Sequence, residues 1–173
     1  MKIIKLVQTK KEGLTFFKEL ETPNFNSNAI LLDNVVKLDT NKQFQEIKGF
    51  GGAFTEAAAV AISTLDAKNR KEALEAYFSK DGLCYNLGRV HINSCDFALG
   101  NYTYVKDGDE DLSSFDISHD TKQIIPLIKE AYKLTNNNMA LLASPWSPPA
   151  YMKDSKEMNH GGKLLKKYYP LWA

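Results

Sequence analysis

Residues 85–97 read YNLGRVHINSCDF. The run from Leu87 to Ile92 has the length and composition of a strand. Alternation along it places Leu87, Arg89 and His91 on one face and Gly88, Val90 and Ile92 on the other. Upstream, LDAKNRKEALEAYFS predicts a helix with Asp66 as N-cap and an apolar face of Ala73, Leu74, Tyr77 and Phe78. KDGLCYN stops that helix, with Gly82 as a left-handed cap. Earlier still, EIKGFGGAFTEAAAVAIS reads as a strand leaving through glycines into an alanine-rich helix. Downstream, Asn93 to about Ile117 is too long for an ordinary connection, and long loops of this kind are often functional. A helix follows from about Asp120 to Leu134. Asp120 and Gln123 resemble a capping box, and Pro126 should kink the helix or delay its start. MALLAS is a third strand, and LLKKYYPLWA has room for a last helix. From residue 46 onward the order is strand, helix, strand, helix, strand, which argues for a parallel sheet with helices on its faces. Ligands of such sheets bind at the carboxyl ends of the strands. GFGG, NSCDF and SPWSPP are the unusual stretches, each read as following a strand.

The rest of the chain sets bounds. It has 173 residues, 43% hydrophobic and 25% charged, enough apolar side chains for a sizeable core. Its 22 basic and 21 acidic residues give a net charge of +1, no electrostatic reason to expect nucleic acid or an anionic membrane. Two cysteines, Cys84 and Cys95, exclude a disulfide scaffold and read as buried thiols. The apolar N-terminal run is broken by Lys5 and ends at Val7, too short for a signal peptide. No stretch approaches the ~20 apolar residues of a membrane span. The chain therefore reads as soluble and cytoplasmic. Residues 1–45 hold short β-leaning runs, IIKLV, LTFF and VVKLD, between polar turns.

Several residues are candidates for chemistry. GFGGAF lacks the third glycine of a dinucleotide fingerprint, because Phe54 stands there, and no P-loop lysine follows. Close backbone packing is the simpler use of its glycines. Asp107, Asp109 and Asp111 alternate as in a calcium loop, but Leu112 and Ser118 replace the required glycine and glutamate. His91, His119 and His160 lack metal-ligand spacing. Arg89, mid-strand, calls for a carboxylate partner. It makes either a structural ion pair or an arginine that orients a catalytic acid. Asp96 is either a turn-forming aspartate or an acceptor for ligand hydroxyls. Trp146, set among Pro145, Pro148 and Pro149, is either core or a rigid platform for a ligand. An indole beside one carboxylate suits a sugar, which has an apolar C–H face and polar edges.

Four stretches in order, GFGGAFTEAAA, YNLGRVHINSCDFALGNYTY, IPLIKEA and LLASPWSPPAYMK, resemble glycoside hydrolase family 30, the glucosylceramidase and β-1,6-glucanase group. The resemblance covers about residues 40–173. It implies a (β/α)8 TIM barrel with a side β-sandwich. Residues 1–45 would supply strands of the sandwich, and 46–173 about the first three βα units of an incomplete barrel. It implies retaining cleavage of β-glucosidic bonds by two glutamates, one acid/base and one nucleophile. Both are expected beyond Ala173, so none of this chain's residues is assigned as catalytic. Asp96 and Trp146 match residues holding the sugar in the −1 subsite, Phe97 an aromatic lining it, and Arg89 an arginine beneath the catalytic carboxylates. Tyr102 and Tyr104 fall in the next loop, with no sugar contact assigned. No cofactor or metal is implied, and the partner is a β-glucoside or β-glucan. Many members are exported or lysosomal. A barrel takes about 250 residues, so the chain reads as a fragment that needs the remainder of the barrel and is inactive alone. Two other readings are a non-catalytic sugar-binding module or pseudoenzyme, and a small nucleotide-binding domain using GFGG.

Overall fold

A computed structural model of the chain describes residues 6–11, 13, 15–21 and 39–173. It divides into two units, 1–45 and 46–173. In the first, β1 (Leu6–Lys10) and β2 (Thr15–Leu20) form an antiparallel hairpin, with Val7 opposite Glu19 and a register shift between Gln8 and Lys10. The VVKLD run lies, apart from Asp39, outside the described residues.

The second unit carries the α/β architecture. Its parallel sheet has the order β3 (Gly51–Phe54), β4 (Leu87–Ile92), β5 (Ala140–Pro145). Helices α1 (Glu56–Ser63) and α2 (Ala67–Phe78) link β3 to β4, and α3 (Ile124–Leu134) precedes β5. Ala53, Arg89 and Leu142 lie side by side in the register, as do Phe54, Val90 and Ala143. The helices cover one face. There Phe54, Ala59, Leu74, Ile124, Leu127 and Ala131 form the core, with Val90 and Leu141 packed against it. Phe54 stacks on Phe78 at 5.7 Å. Arg89 is exposed on the other face, as the alternation of β4 requires. Leu142 stands on that face too, 63% exposed.

Local expectations fare unevenly. Asp66 caps α2 by accepting the Asn69 amide at 2.9 Å. The helix over 120–134 starts only at Ile124, with Pro126 in its first turn. A proline is tolerated there because its missing N–H would have had no helical partner. Asp120 is no cap. It is buried and accepts the hydroxyls of Tyr102 and Tyr104. Gly82 is not left-handed; that conformation falls at Cys84 (φ 52°). Gly82 is small for another reason, since a Cβ there would strike the Ala76 and Glu75 carbonyls. The glycines of GFGG do not follow the first strand. Gly51 and Gly52 begin it, and a Cβ on Gly51 would collide with the Leu87 carbonyl of the neighbouring strand. Cys84 is exposed and Cys95 half-buried, so neither is a core thiol.

After β5 the chain forms 3-10 turns at Ala150–Met152 and Lys166–Tyr168 and a single helical turn, α4 (Tyr169–Trp172). Val105, Tyr151, Met152 and Tyr168 make a second small core there. Tyr151 donates to the Asp109 carbonyl at 2.6 Å and Tyr168 to Glu110 at 2.7 Å, which ties the long loop after β4 to this segment. No helix among the described residues is long and apolar enough to cross a membrane.

Candidate functional site

The carboxyl ends of the three strands share one cavity of about 210 Å3, lined by Arg89, His91, Asp96, Phe97 and Trp146 along with the end of β3. Each wall has a local cause. β4 runs into Asn93, whose left-handed backbone (φ 61°) turns the chain, a conformation asparagine tolerates. Its side chain joins two loops by accepting the Tyr104 amide at 2.9 Å and donating to the Ser147 carbonyl at 3.2 Å. The Asp96 turn is closed by the Ala98 amide on the Cys95 carbonyl at 3.0 Å. Phe97 N–H points at Cys95 Sγ, 3.3 Å away, and burial pushes that thiol's pKa up.

The start of α1 then grips this turn. Ala57 N–H donates to the Phe97 carbonyl at 3.0 Å, and the Leu99 amide donates to Glu56 at 2.8 Å. The other Glu56 oxygen lies 2.6 Å from His119 Nε2. Tyr102 stacks on His119 at 3.7 Å and donates to Asp120 at 2.7 Å. Burial first, and then the Asp120 carboxylate, hold the Tyr102 and Tyr104 phenols far above the ordinary tyrosine range.

On the β5 side, the Trp146 amide donates to the Ile92 carbonyl at 3.2 Å and extends the ladder one step past the strand. The indole is 40% exposed, and the Arg89 guanidinium lies 4.6 Å from its ring centroid. Arg89 also donates to Ser144 Oγ at 3.0 Å. No carboxylate pairs with Arg89 among the described residues. Among the described residues Arg89 pairs with a hydroxyl and an aromatic face, partners that leave the cation electrostatically unbalanced and available to an anion. His91 Nδ1 is 2.6 Å from the Asn93 carbonyl, which makes it the protonated nitrogen. Nε2 is buried and has no hydrogen-bond partner among the described residues.

The structure thus brings together Arg89, Asp96, Phe97 and Trp146. Among the described residues Asp96 is the one carboxylate lining the cavity. Sequence reasoning missed Ser144, Glu56 and His119. Alternation on β5 signals Ser144 on the Arg89 face, whereas nothing local pairs Glu56 with a histidine 63 residues away. An aromatic wall, one acceptor carboxylate and one guanidinium together suit a hydroxyl-rich ligand.

Parallel βα units with a cavity at the strand carboxyl ends are the arrangement of (β/α)-barrel domains. Residues 47–170 match the glycosyl hydrolase family 30 TIM-barrel domain, and the chain belongs to that family. It is 39% identical to mouse lysosomal acid glucosylceramidase over 161 residues, 90% of this chain and 31% of that protein. It is 30% identical to an endo-1,6-beta-D-glucanase of Trichoderma harzianum over 120 residues, 66% of this chain and 24% of that one. The crystal structure of SrfJ from Salmonella typhimurium superposes with a TM-score of 0.85 at 37% identity, covering 97% of this chain and 38% of SrfJ. The chain thus spans about a third or less of the length of the two curated relatives and 38% of SrfJ.

Proposed function

We propose that this chain forms the sugar-holding side of a retaining glycosidase that cleaves β-glucosidic bonds. Trp146 walls the −1 sugar, Asp96 accepts its hydroxyls, and Phe97 lines the rim. Arg89 steadies catalytic carboxylates supplied by the remainder of a barrel. The hairpin of residues 1–45 is assigned to a side β-sandwich. The observation that carries this reading is the convergence of Arg89, Asp96 and Trp146 on one cavity at the strand carboxyl ends. Retaining hydrolysis needs two carboxylates about 5–5.5 Å apart. Among the described residues Asp96 is the single carboxylate in the cavity, so in this reading the 173 residues bind without cleaving.

Two measurements test this. The purified chain should give no turnover of an aryl β-glucoside; turnover would refute the binding-only role. Methyl β-glucoside should bind, and Asp96→Ala and Trp146→Ala should each weaken binding by about tenfold, the loss of one hydrogen bond to a charged group or one stacked ring. Binding indifferent to both substitutions would remove the site.

A further inference from the structure

Among the described residues the Asp96 carboxylate accepts no hydrogen bond, so its direction at the cavity is set by the backbone that carries it. That backbone, residues 95–99, forms two kinds of bond. The Ala98 amide on the Cys95 carbonyl and the Phe97 amide on Cys95 Sγ are internal to the turn and fix its shape. The Ala57 amide on the Phe97 carbonyl at 3.0 Å and the Leu99 amide on Glu56 Oε2 at 2.8 Å fix its place. Both of the placing bonds come from the first turn of α1, and both fall on the chain just past Asp96. Glu56 itself lies outside the cavity wall.

Glu56 is built to hold one orientation. It is the first residue of α1, after the N-cap Thr55, whose hydroxyl accepts the Ala58 amide at 3.2 Å. A helix N-terminus favours a carboxylate there. The residue is buried, and a buried carboxylate needs its oxygens paired. Oε2 takes the Leu99 amide, and Oε1 lies 2.6 Å from His119 Nε2. The imidazole is fixed in turn by stacking on Tyr102, whose hydroxyl donates to Asp120. Holding one oxygen on His119 leaves the other aimed at Leu99.

Resting on the sugar-site reading above, we propose that Glu56 is a positioning residue for the sugar site: it touches no sugar, but through the Leu99 amide it sets where Asp96 points, and His119 keeps it in register. A tether that merely kept the long loop folded could attach anywhere along residues 93–119. This one grips the turn beside the carboxylate that faces the ligand. Placement matters there because a hydrogen bond weakens steeply as its angle closes. A shift of about 1 Å at a positioned group can cost as much as about a hundredfold.

The test is an NMR titration of the full 173-residue chain with methyl β-glucoside, which reads affinity from the signals of folded molecules alone. Glu56→Ala should weaken binding by about tenfold, as Asp96→Ala does, and should cost nothing further in the Asp96→Ala background. Glu56→Gln keeps an acceptor for the Leu99 amide and should stay within about threefold of the parent. Leu99→Pro removes the amide while leaving Glu56 with its histidine. It should reproduce the Glu56→Ala loss, and it carries the test if Glu56→Ala does not fold. A merely structural Glu56 would lower the folded fraction at unchanged affinity. That result, parent affinity in Leu99→Pro, or a Glu56→Ala loss undiminished in the Asp96→Ala background would each overturn the proposal. If the parent does not bind methyl β-glucoside, or binds it regardless of Asp96→Ala, the sugar-site reading fails and this proposal with it; if binding needs Asp96 but not Glu56, the proposal alone fails.

Discussion

Replacing Asp120 by alanine separates two roles that a single residue could play. As an N-cap it would contribute about 1 kcal/mol. The structure instead buries its carboxylate, 5% exposed, under the hydroxyls of Tyr102 and Tyr104. A hydrogen bond to a charged group contributes about 1.5–3 kcal/mol. Two such bonds, with two half-buried hydroxyls left unpaired, put the loss at about 3–5 kcal/mol. With a urea slope of about 2 kcal/mol/M, the unfolding midpoint should fall by about 1.5–2.5 M. Fluorescence and circular dichroism followed together check that a single transition is being read. Tyr102→Phe and Tyr104→Phe supply the double-mutant cycles. Each should couple to Asp120→Ala by about 1 kcal/mol or more, because removing a hydroxyl costs less once its acceptor is gone. A loss near 1 kcal/mol with no coupling would refute the network and return Asp120 to a capping role.

Three further outcomes follow from the same geometry. Glu56→Ala should expose residues 93–119 to limited proteolysis, with Glu56→Gln intermediate, because Glu56 holds both the Leu99 amide and His119; unchanged cleavage would mean the grip does not order the loop. Acid should destabilise the fold: hydrogen bonds from Ser114 to Asp109, Tyr168 to Glu110 and Ser118 to Asp116 hold these carboxyls below their ordinary range. A depressed folded pKa gives stability that is present above the unfolded value, about 4, and lost as pH falls through the folded one, so urea midpoints should drop from about pH 4 downward and less steeply in Asp109→Asn, whereas a flat profile would contradict this. The sheet face bearing Leu142 should drive self-association, which Leu142→Lys reduces in sedimentation runs, and a monodisperse parent at high concentration would rule that out.

Much of the architecture was legible because it is written in short-range periodicity. The alternation in Leu87–Ile92 set Arg89 on the face opposite Val90, and the helices pack on the Val90 face. Asp66 capped its helix because an N-cap needs only a partner three residues on. Pro126 delayed a helix start because its missing N–H is a local property. Asp96, Phe97 and Trp146 stand just past the ends of predicted strands, a placement that is local in sequence, and the fold gathers them around one cavity.

Tertiary structure decided what local pattern could not. Gly51 is small because a carbonyl of β4 lies against it, so its place at the start of a strand rather than the end depends on a neighbour 36 residues away, Leu87. Asp120 has the spacing of a cap, but hydroxyls 16 and 18 residues upstream claim its oxygens and bury them. Among the described residues the chain folds a serine hydroxyl and an indole against Arg89, from 55 and 57 positions on. Trp146 was readable as one wall of one site, and only the folded-back loop of residues 154–163 gives it a second cavity. Periodicity reports which way a side chain points, while its partner is settled by which distant segments the packed sheet brings within hydrogen-bond reach.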